Sequence, residues 1–281
     1  SAQKRDGSGG RGAAEVMPAM VAGRRPATMA GMTQDLFRQD AYLRECSAHI
    51  TAVTDAGIVL DRTVFYPLGG GQAGDSGVLV LADGTEIAIA DTRKGKDAEG
   101  NATSDIVHVP APGQEALLAT LTPGTAVSAR IDWERRHRMM RLHTTSHLLC
   151  HVVPQLVNGC SITPDYARLD FAMTDPLDKE QLTAAIAAMV AAAHPLTVAS
   201  ISDEELDANP ALVKSMSVQP PRGTGRIRTI RIGGEGDAPL IDLQPCGGTH
   251  VANTAEIGAI VVTKIEKKSA TTRRVVLGFA P

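Results

Sequence analysis

Aromatic side chains are scarce. One Trp, three Tyr and four Phe stand among 281 residues, so a core has to be assembled mainly from aliphatic side chains. No apolar run approaches the roughly 20 residues a membrane-crossing helix needs, which excludes that class. Four cysteines, one of them a candidate metal ligand, do not read as a disulfide framework, and a reducing, cytoplasmic setting is expected. A strong charge of either sign is also missing, the net balance being −3. H-E-x-x-H is absent, because Thr144 follows His143. Without that Glu, a zincin protease lacks its general base.

What the chain does have is two short segments, far apart, that each offer a pair of metal-ligand side chains: His143-Thr-Thr-Ser-His147 and Cys246-Gly-Gly-Thr-His250. Three imidazoles and one thiol suit Zn²⁺, which takes N and S donors in tetrahedral geometry. The region from Trp133 to Val153 reads as a helix, with apolar residues at Met139, Met140, Leu142, Leu148 and Leu149. Positions i and i+4 lie one turn apart on one face, so His143 and His147 can reach one ion. Gly247 and Gly248 allow a bent loop from which Cys246 and His250 turn inward. Cys150, His151 and His137 lie close to the first pair, but one straight stripe cannot wrap an ion. They read as core or supporting residues.

The pattern divides the chain into three. Residues 1–32 are rich in Gly, Ala, Arg and Pro without periodicity and read as a disordered leader, with Met29 or Met32 as a plausible start. Residues 33–130 carry short β-rich runs separated by turn signals, such as Asp55-Ala-Gly57 and Ala82-Asp-Gly84, which suggests a small β-barrel. Residues 131–281 mix helices and strands, an α+β arrangement in which helices cover one face of an antiparallel sheet. Bases cluster around the ligand pairs: Arg135, Arg136, Arg138 and Arg141 by the first, and Arg222, Arg226, Arg228 and Arg231 before the second. This fits a polyanionic substrate; the plainer reading is a solvated surface.

A glycine-rich segment runs from Phe65 to Gly77. Gly69 to Gly74 formally satisfies G-x-G-x-x-G, but a strand-like run follows it, and no Walker Lys-Ser/Thr does. Both nucleotide-loop readings fail, since each needs a helix there. The functional reading is a close approach of backbone N–H groups to phosphate or ribose, with Gly69, Gly70, Gly71, Gln72 and Asp75 as contacts.

His143–His147, Cys246–His250 and Phe65–Gly77, in this order, resemble the AlaX family of free-standing alanyl-tRNA editing proteins, similar to the editing domain of alanyl-tRNA synthetase. Arg168-Leu-Asp-Phe171, Arg228-Thr-Ile-Arg-Ile232 and Lys264–Arg274 agree. The resemblance covers roughly residues 35–280, the longer form of the family. It implies a glycine-rich β-barrel followed by a two-layer α/β editing domain of the threonyl/alanyl-tRNA synthetase type. It implies hydrolysis of the ester joining a wrong amino acid, serine or in some members glycine, to tRNA-Ala, with Zn²⁺ as cofactor. No room is left for an adenylate-forming core. Ser146 stands where family members often carry Thr. Thr145 and Ser146 are candidates for reading the serine hydroxyl, with Ser161 and Thr163 as further options. The N–H groups of Gly247 and Gly248 are candidate oxyanion donors, and Arg141, Arg226 and Arg228 candidate tRNA contacts. Four protein ligands would close the metal shell, so a catalytic ion needs a lost ligand or entry of the substrate amine. The alternative is a non-catalytic, zinc-stabilised RNA-binding module. A monomer is expected.

Overall fold

Alternating apolar residues and tight turns build the first part of the chain. The computed structural model describes residues 32–223 and 225–281. Apart from Met32, the leader therefore lies outside the described residues. In chain order come β1 (Gln34–Asp35), β2 (Glu45–Thr54), β3 (Gly57–Leu60), β4 (Arg62–Thr63), β5 (Gly77–Leu81), β6 (Glu86–Lys96), β7 (Ala102–Pro110), the short helix α1 (Glu115–Leu118) and β8 (Ala126–Ile131). β1 and β4 pair in parallel. Six strands run β2-β3-β7-β6-β5-β8, and β8 pairs back with β2 from Glu45↔Arg130 to His49↔Ala126, so the sheet closes on itself. Period-2 burial fills its interior with Ile50, Leu60, Leu79, Ile87, Val127 and Ile131. β8 is a strand the sequence reading did not anticipate. Its inward positions include small Ala129, which dilutes the alternation.

The remainder holds α2 (Trp133–Val152), β9 (Val157–Ile162), β10 (Tyr166–Ala172), α3 (Lys179–Ala191), β11 (Leu196–Ile201), α4 (Asp203–Ala208), β12 (Ile227–Gly233), β13 (Leu240–Pro245), β14 (Ile260–Ser269) and β15 (Thr272–Phe279). Asp132 caps α2 by accepting from the Arg135 N–H at 3.1 Å. Pro154, which cannot continue a helix, ends it. Two antiparallel sheets are present where one was expected: β14-β15-β10-β9 and β11-β12-β13. The reason lies in α2. From Met139 to Cys150 only Arg141 escapes full burial. A helix with one apolar stripe can lie on one sheet, but a helix buried all round has to be covered on several sides. α2 accordingly contacts strands of both sheets as well as α3. No helix among the described residues is long and apolar enough to cross a membrane.

One fully buried ion pair joins the first part of the chain to α2. The Arg136 guanidinium donates from Nε and Nη2 to the Asp75 carboxylate, from Nη2 to the Val64 carbonyl at 2.6 Å and from Nη1 to the Ala41 carbonyl at 2.9 Å. Asp75 also accepts from the Tyr66 N–H at 2.7 Å, closing the glycine-rich segment into a loop. Both side chains are 0% exposed. Two expectations are corrected here. Asp75 has no surface to offer a tRNA, and Arg136 is not part of a basic surface; each is buried because the other neutralises it. Removing one charge from such a pair leaves the other stranded. Asp75→Asn is expected to lower stability by about 3–5 kcal/mol, read as a shifted denaturant midpoint; a loss under about 1 kcal/mol would contradict the role given to the pair.

Candidate metal centre

α2 presents His143 and His147 on one face, and the turn after β13 presents Cys246 and His250. One ligand atom from each of the four lies within 4.8 Å of the others. Cys246 Sγ is 3.5 Å from His143 Nε2 and 3.3 Å from His250 Nε2. Tetrahedral coordination at ordinary bond lengths separates N and S donors by about 3.6 Å, so the cluster has the dimensions of a divalent-metal site.

The outer nitrogens of the three imidazoles strengthen that fit. His143 Nδ1 meets Gln72 Oε1 at 2.8 Å, His147 Nδ1 meets Asp242 Oδ2 at 2.7 Å, and His250 Nδ1 meets Thr144 Oγ1 at 3.1 Å. Each Nδ1 thus has a partner outside the cluster, which leaves Nε2 as the donor toward its centre. Gln72 does more than hold one ring. Its Oε1 also accepts from the Thr249 N–H at 3.1 Å, and its Nε2 donates to Thr249 Oγ1 at 2.8 Å. One amide therefore ties α2 to the Cys246–His250 turn.

Charge is arranged accordingly. Burial works against the Cys246 thiolate, but the imidazoles of His143 and His250 beside it hold the thiol well below its usual range. Burial also opposes a charged His147, yet the Asp242 carboxylate outweighs it and pushes the group up to about 9. Burial would raise Asp242; His147 and Lys214 hold it down at about 2. For His250, burial and then the neighbouring His143 push it down to about 3.

Two glycines are obligatory for steric reasons. A Cβ on Gly248 would stand 2.2 Å from His143 Cε1, and a Cβ on Gly71 would stand 2.4 Å from Cys160 Sγ, with Gly71 at φ +85°. Gly71 lies against β9: its carbonyl accepts from Ile162 N at 2.7 Å, and Ala73 N donates to the Ile162 carbonyl at 2.9 Å.

The cluster borders a cavity of about 340 Å³, whose wall includes His143, Ser146, His147, Cys246, Gly247 and Gly248. Ser146 Oγ donates to the Leu142 carbonyl at 2.9 Å, leaving its lone pairs to accept. Several expected contacts are placed elsewhere. Thr145 donates to the Arg141 carbonyl and lies outside the cavity wall. Thr163 caps the turn between β9 and β10, and Ser161 also lies outside the wall. Gln72 is fully buried behind His143. The Gly248 N–H donates to Cys246 Sγ at 3.4 Å. Arg141 donates to the Ile257 carbonyl and lies over the Phe279 ring, and Arg226 donates to Ser200. Arg228 does line the cavity, together with Gly69 and Gly70, and holds the carbonyls of Cys246 and Gly248 at 2.6 and 3.0 Å. The supporting residues Thr144, Asp242, Thr249 and Lys214 escaped the sequence reading. Only Asp242 left a signal, as a lone acid in the apolar run Leu240–Leu243.

Residues 227–276 match the family described as the threonyl and alanyl tRNA synthetase second additional domain, and residues 32–135 match the class II (A) tRNA synthetases. The alanyl-tRNA editing protein AlaX-M of Saccharolobus solfataricus is 32% identical over 89% of this chain and 100% of its own length. The chain belongs to the AlaX-M family. AlaX-M of Methanosarcina acetivorans is 33% identical over 86% of this chain and 97% of its own length. The alanine–tRNA ligase of Hyperthermus butylicus is 35% identical over 84% of this chain, which corresponds to only 24% of that ligase. In this chain the matched segment 32–135 carries Gln72 and the matched segment 227–276 carries Cys246 and His250, while His143 and His147 lie between them. The cluster therefore depends on segments that meet only in the fold.

Losing a partner of a metal-bound imidazole typically lowers metal affinity 10–100-fold. Gln72→Ala is expected to fall in that range, measured by competition with a chromophoric chelator; wild-type affinity would show that Gln72 does not orient His143. Affinity should also weaken as pH falls below about 9, because His147 must release a proton to bind. Proton release on metal addition at pH 7 measures this directly.

Proposed function

We propose that this protein is a zinc-dependent aminoacyl-tRNA hydrolase that removes serine wrongly esterified to tRNA-Ala, with glycine as a second substrate. Three imidazoles and a thiolate form a donor set that favours zinc. The observation that carries the reading is the position of the donors: His143, His147 and Cys246 line the cavity wall, so the cluster borders a space where a ligand can sit. A purely structural ion needs no such access.

Zinc held among His143, His147, Cys246 and His250 would supply Lewis acidity to the ester once one protein ligand gives way or the substrate amine enters the shell. The chain's own residues do the rest. Gln72, Asp242 and Thr144 fix the imidazoles. Arg228 holds the Cys246–Gly248 carbonyls, so Gly247 is presented to the cavity as a backbone donor. Ser146, with its own proton engaged by Leu142, accepts from the substrate hydroxyl. A site built to bond a hydroxyl rejects the analogue lacking it, which spares alanine. The residues around Gly69 and Gly70 border the same cavity and receive the RNA end.

One assay tests the reading: turnover of Ser-tRNA-Ala by wild type and Cys246→Ala, with metal content measured for both. Wild type should turn over, and the variant should lose metal and fall to background. Ser146→Ala should reduce the serine-over-alanine preference by about tenfold. Metal-loaded wild type that binds tRNA-Ala without turnover would sink the enzyme in favour of a binding module.

A further inference from the structure

The charge of the cavity wall departs sharply from that of the chain. The protein has 31 acidic and 28 basic side chains, yet among the described residues the wall carries Arg38, Lys94, Lys214 and Arg228 and no carboxylate. A cavity of one sign selects a ligand of the other.

The four cations are not equally free. Lys214 is held by the buried Asp242 carboxylate. Arg228 is engaged with the carbonyls of Cys246 and Gly248. Arg38 pairs with Asp35, and its guanidinium packs against Gly247. Lys94 differs: among the described residues its ammonium has no hydrogen-bond or ion-pair partner. It is exposed, whereas His143 and His147 are buried, so it marks the open end of the cavity.

The strand pairing beside it is irregular. β6 changes register against β7 between Lys94 and Lys96, and such irregularities redirect side chains. The glycine-rich loop runs alongside, with Leu68 N donating to the Thr92 carbonyl at 2.8 Å. A Cβ on Gly69 would lie 4.0 Å from Lys94 Cε, so the lysine stem lies close to that loop.

We propose that Lys94, backed by Arg38, is a phosphodiester subsite. It takes the phosphate that links the esterified terminal nucleoside to the preceding nucleotide of a single-stranded RNA end. The inference rests on the hydrolase reading for the identity of its substrate. The metal end of the cavity takes the ester, and the open end takes the charge. A compact ammonium on a flexible stem suits a phosphate as a point charge.

Two synthetic esters separate the effects: seryl-adenosine, which has no phosphate, and the seryl ester of cytidylyl-(3′→5′)-adenosine, which has one phosphodiester. In Lys94→Gln the ratio of kcat/KM for the second over the first should fall about tenfold, through KM. The log–log salt dependence for the second should become shallower by about 0.7. Lys96→Gln, two residues along the same strand and outside the cavity, should keep the wild-type ratio. A Lys94→Gln ratio within twofold of wild type would overturn the subsite, as would an equal fall in Lys96→Gln. Failure of metal-loaded wild type to turn over these esters and Ser-tRNA-Ala alike refutes the hydrolase reading instead. In that event calorimetry with unacylated cytidylyl-adenosine and adenosine still decides: about tenfold weaker binding of the dinucleotide alone by Lys94→Gln upholds the anion site, and unchanged binding overturns it.

Discussion

The Arg136–Asp75 pair is the contact on which the arrangement of the site depends. Its two charges come from segments that have no reason to meet until the chain is folded. The carboxylate closes the glycine-rich loop from Tyr66 to Asp75, and the guanidinium anchors that loop to α2. Gln72 lies three residues before Asp75, so the pair also sets where its amide falls, between His143 and Thr249. A buried ion pair is weak evidence for stability as such. Here every nitrogen of the guanidinium has a partner, which offsets its desolvation, and its consequence is positional.

The glycine-rich segment then has two kinds of glycine. Gly71 is close-packed against β9, where no side chain fits beside Cys160. Gly69 and Gly70 line the cavity, and Gly69 is kept in place by Tyr66, whose hydroxyl donates to its carbonyl at 2.8 Å. One loop thus supports the metal cluster from behind with Gln72 and borders the cavity in front with Gly69 and Gly70. The G-x-G-x-x-G spacing has a steric origin and does not lead into a helix, which is why it differs from a dinucleotide loop.

What was legible in the sequence follows from the range of the interactions. His143 and His147 are one turn apart, and Cys246 and His250 share a short turn, so local geometry reveals both pairs. Thr144 and Asp242 reach imidazoles, and Thr249 reaches Gln72, only when folding brings their elements together, and no spacing rule points to them. β9 was hidden for a related reason. Val157-Asn-Gly-Cys-Ser-Ile162 has poor strand composition, and it is extended because β10, Gly71–Ala73 and Lys214–Met216 all bond to its backbone. The arginines of α2 misled in the opposite direction. A basic run looks like a surface for nucleic acid, but Arg135, Arg136, Arg138 and Arg141 donate to carbonyls of the protein itself.

Every position of Cys246-Gly-Gly-Thr-His250 has a separate physical requirement. Cys246 brings sulfur within 3.5 Å of two imidazoles. Gly247 leaves space under the Arg38 guanidinium, and Gly248 leaves space beside the His143 ring while its N–H stabilises the thiolate. Thr249 bonds Gln72 through both its N–H and its hydroxyl, which fixes the distance between this turn and α2. His250 completes the donor set with Thr144 behind it. The support is uneven. Each imidazole is braced by a side chain from another part of the chain, whereas the Cys246 sulfur rests on a backbone N–H and on carbonyl bonds from Arg228. The rigid side of the cluster is therefore the side of the three imidazoles, and the sulfur sits on the turn that faces the cavity.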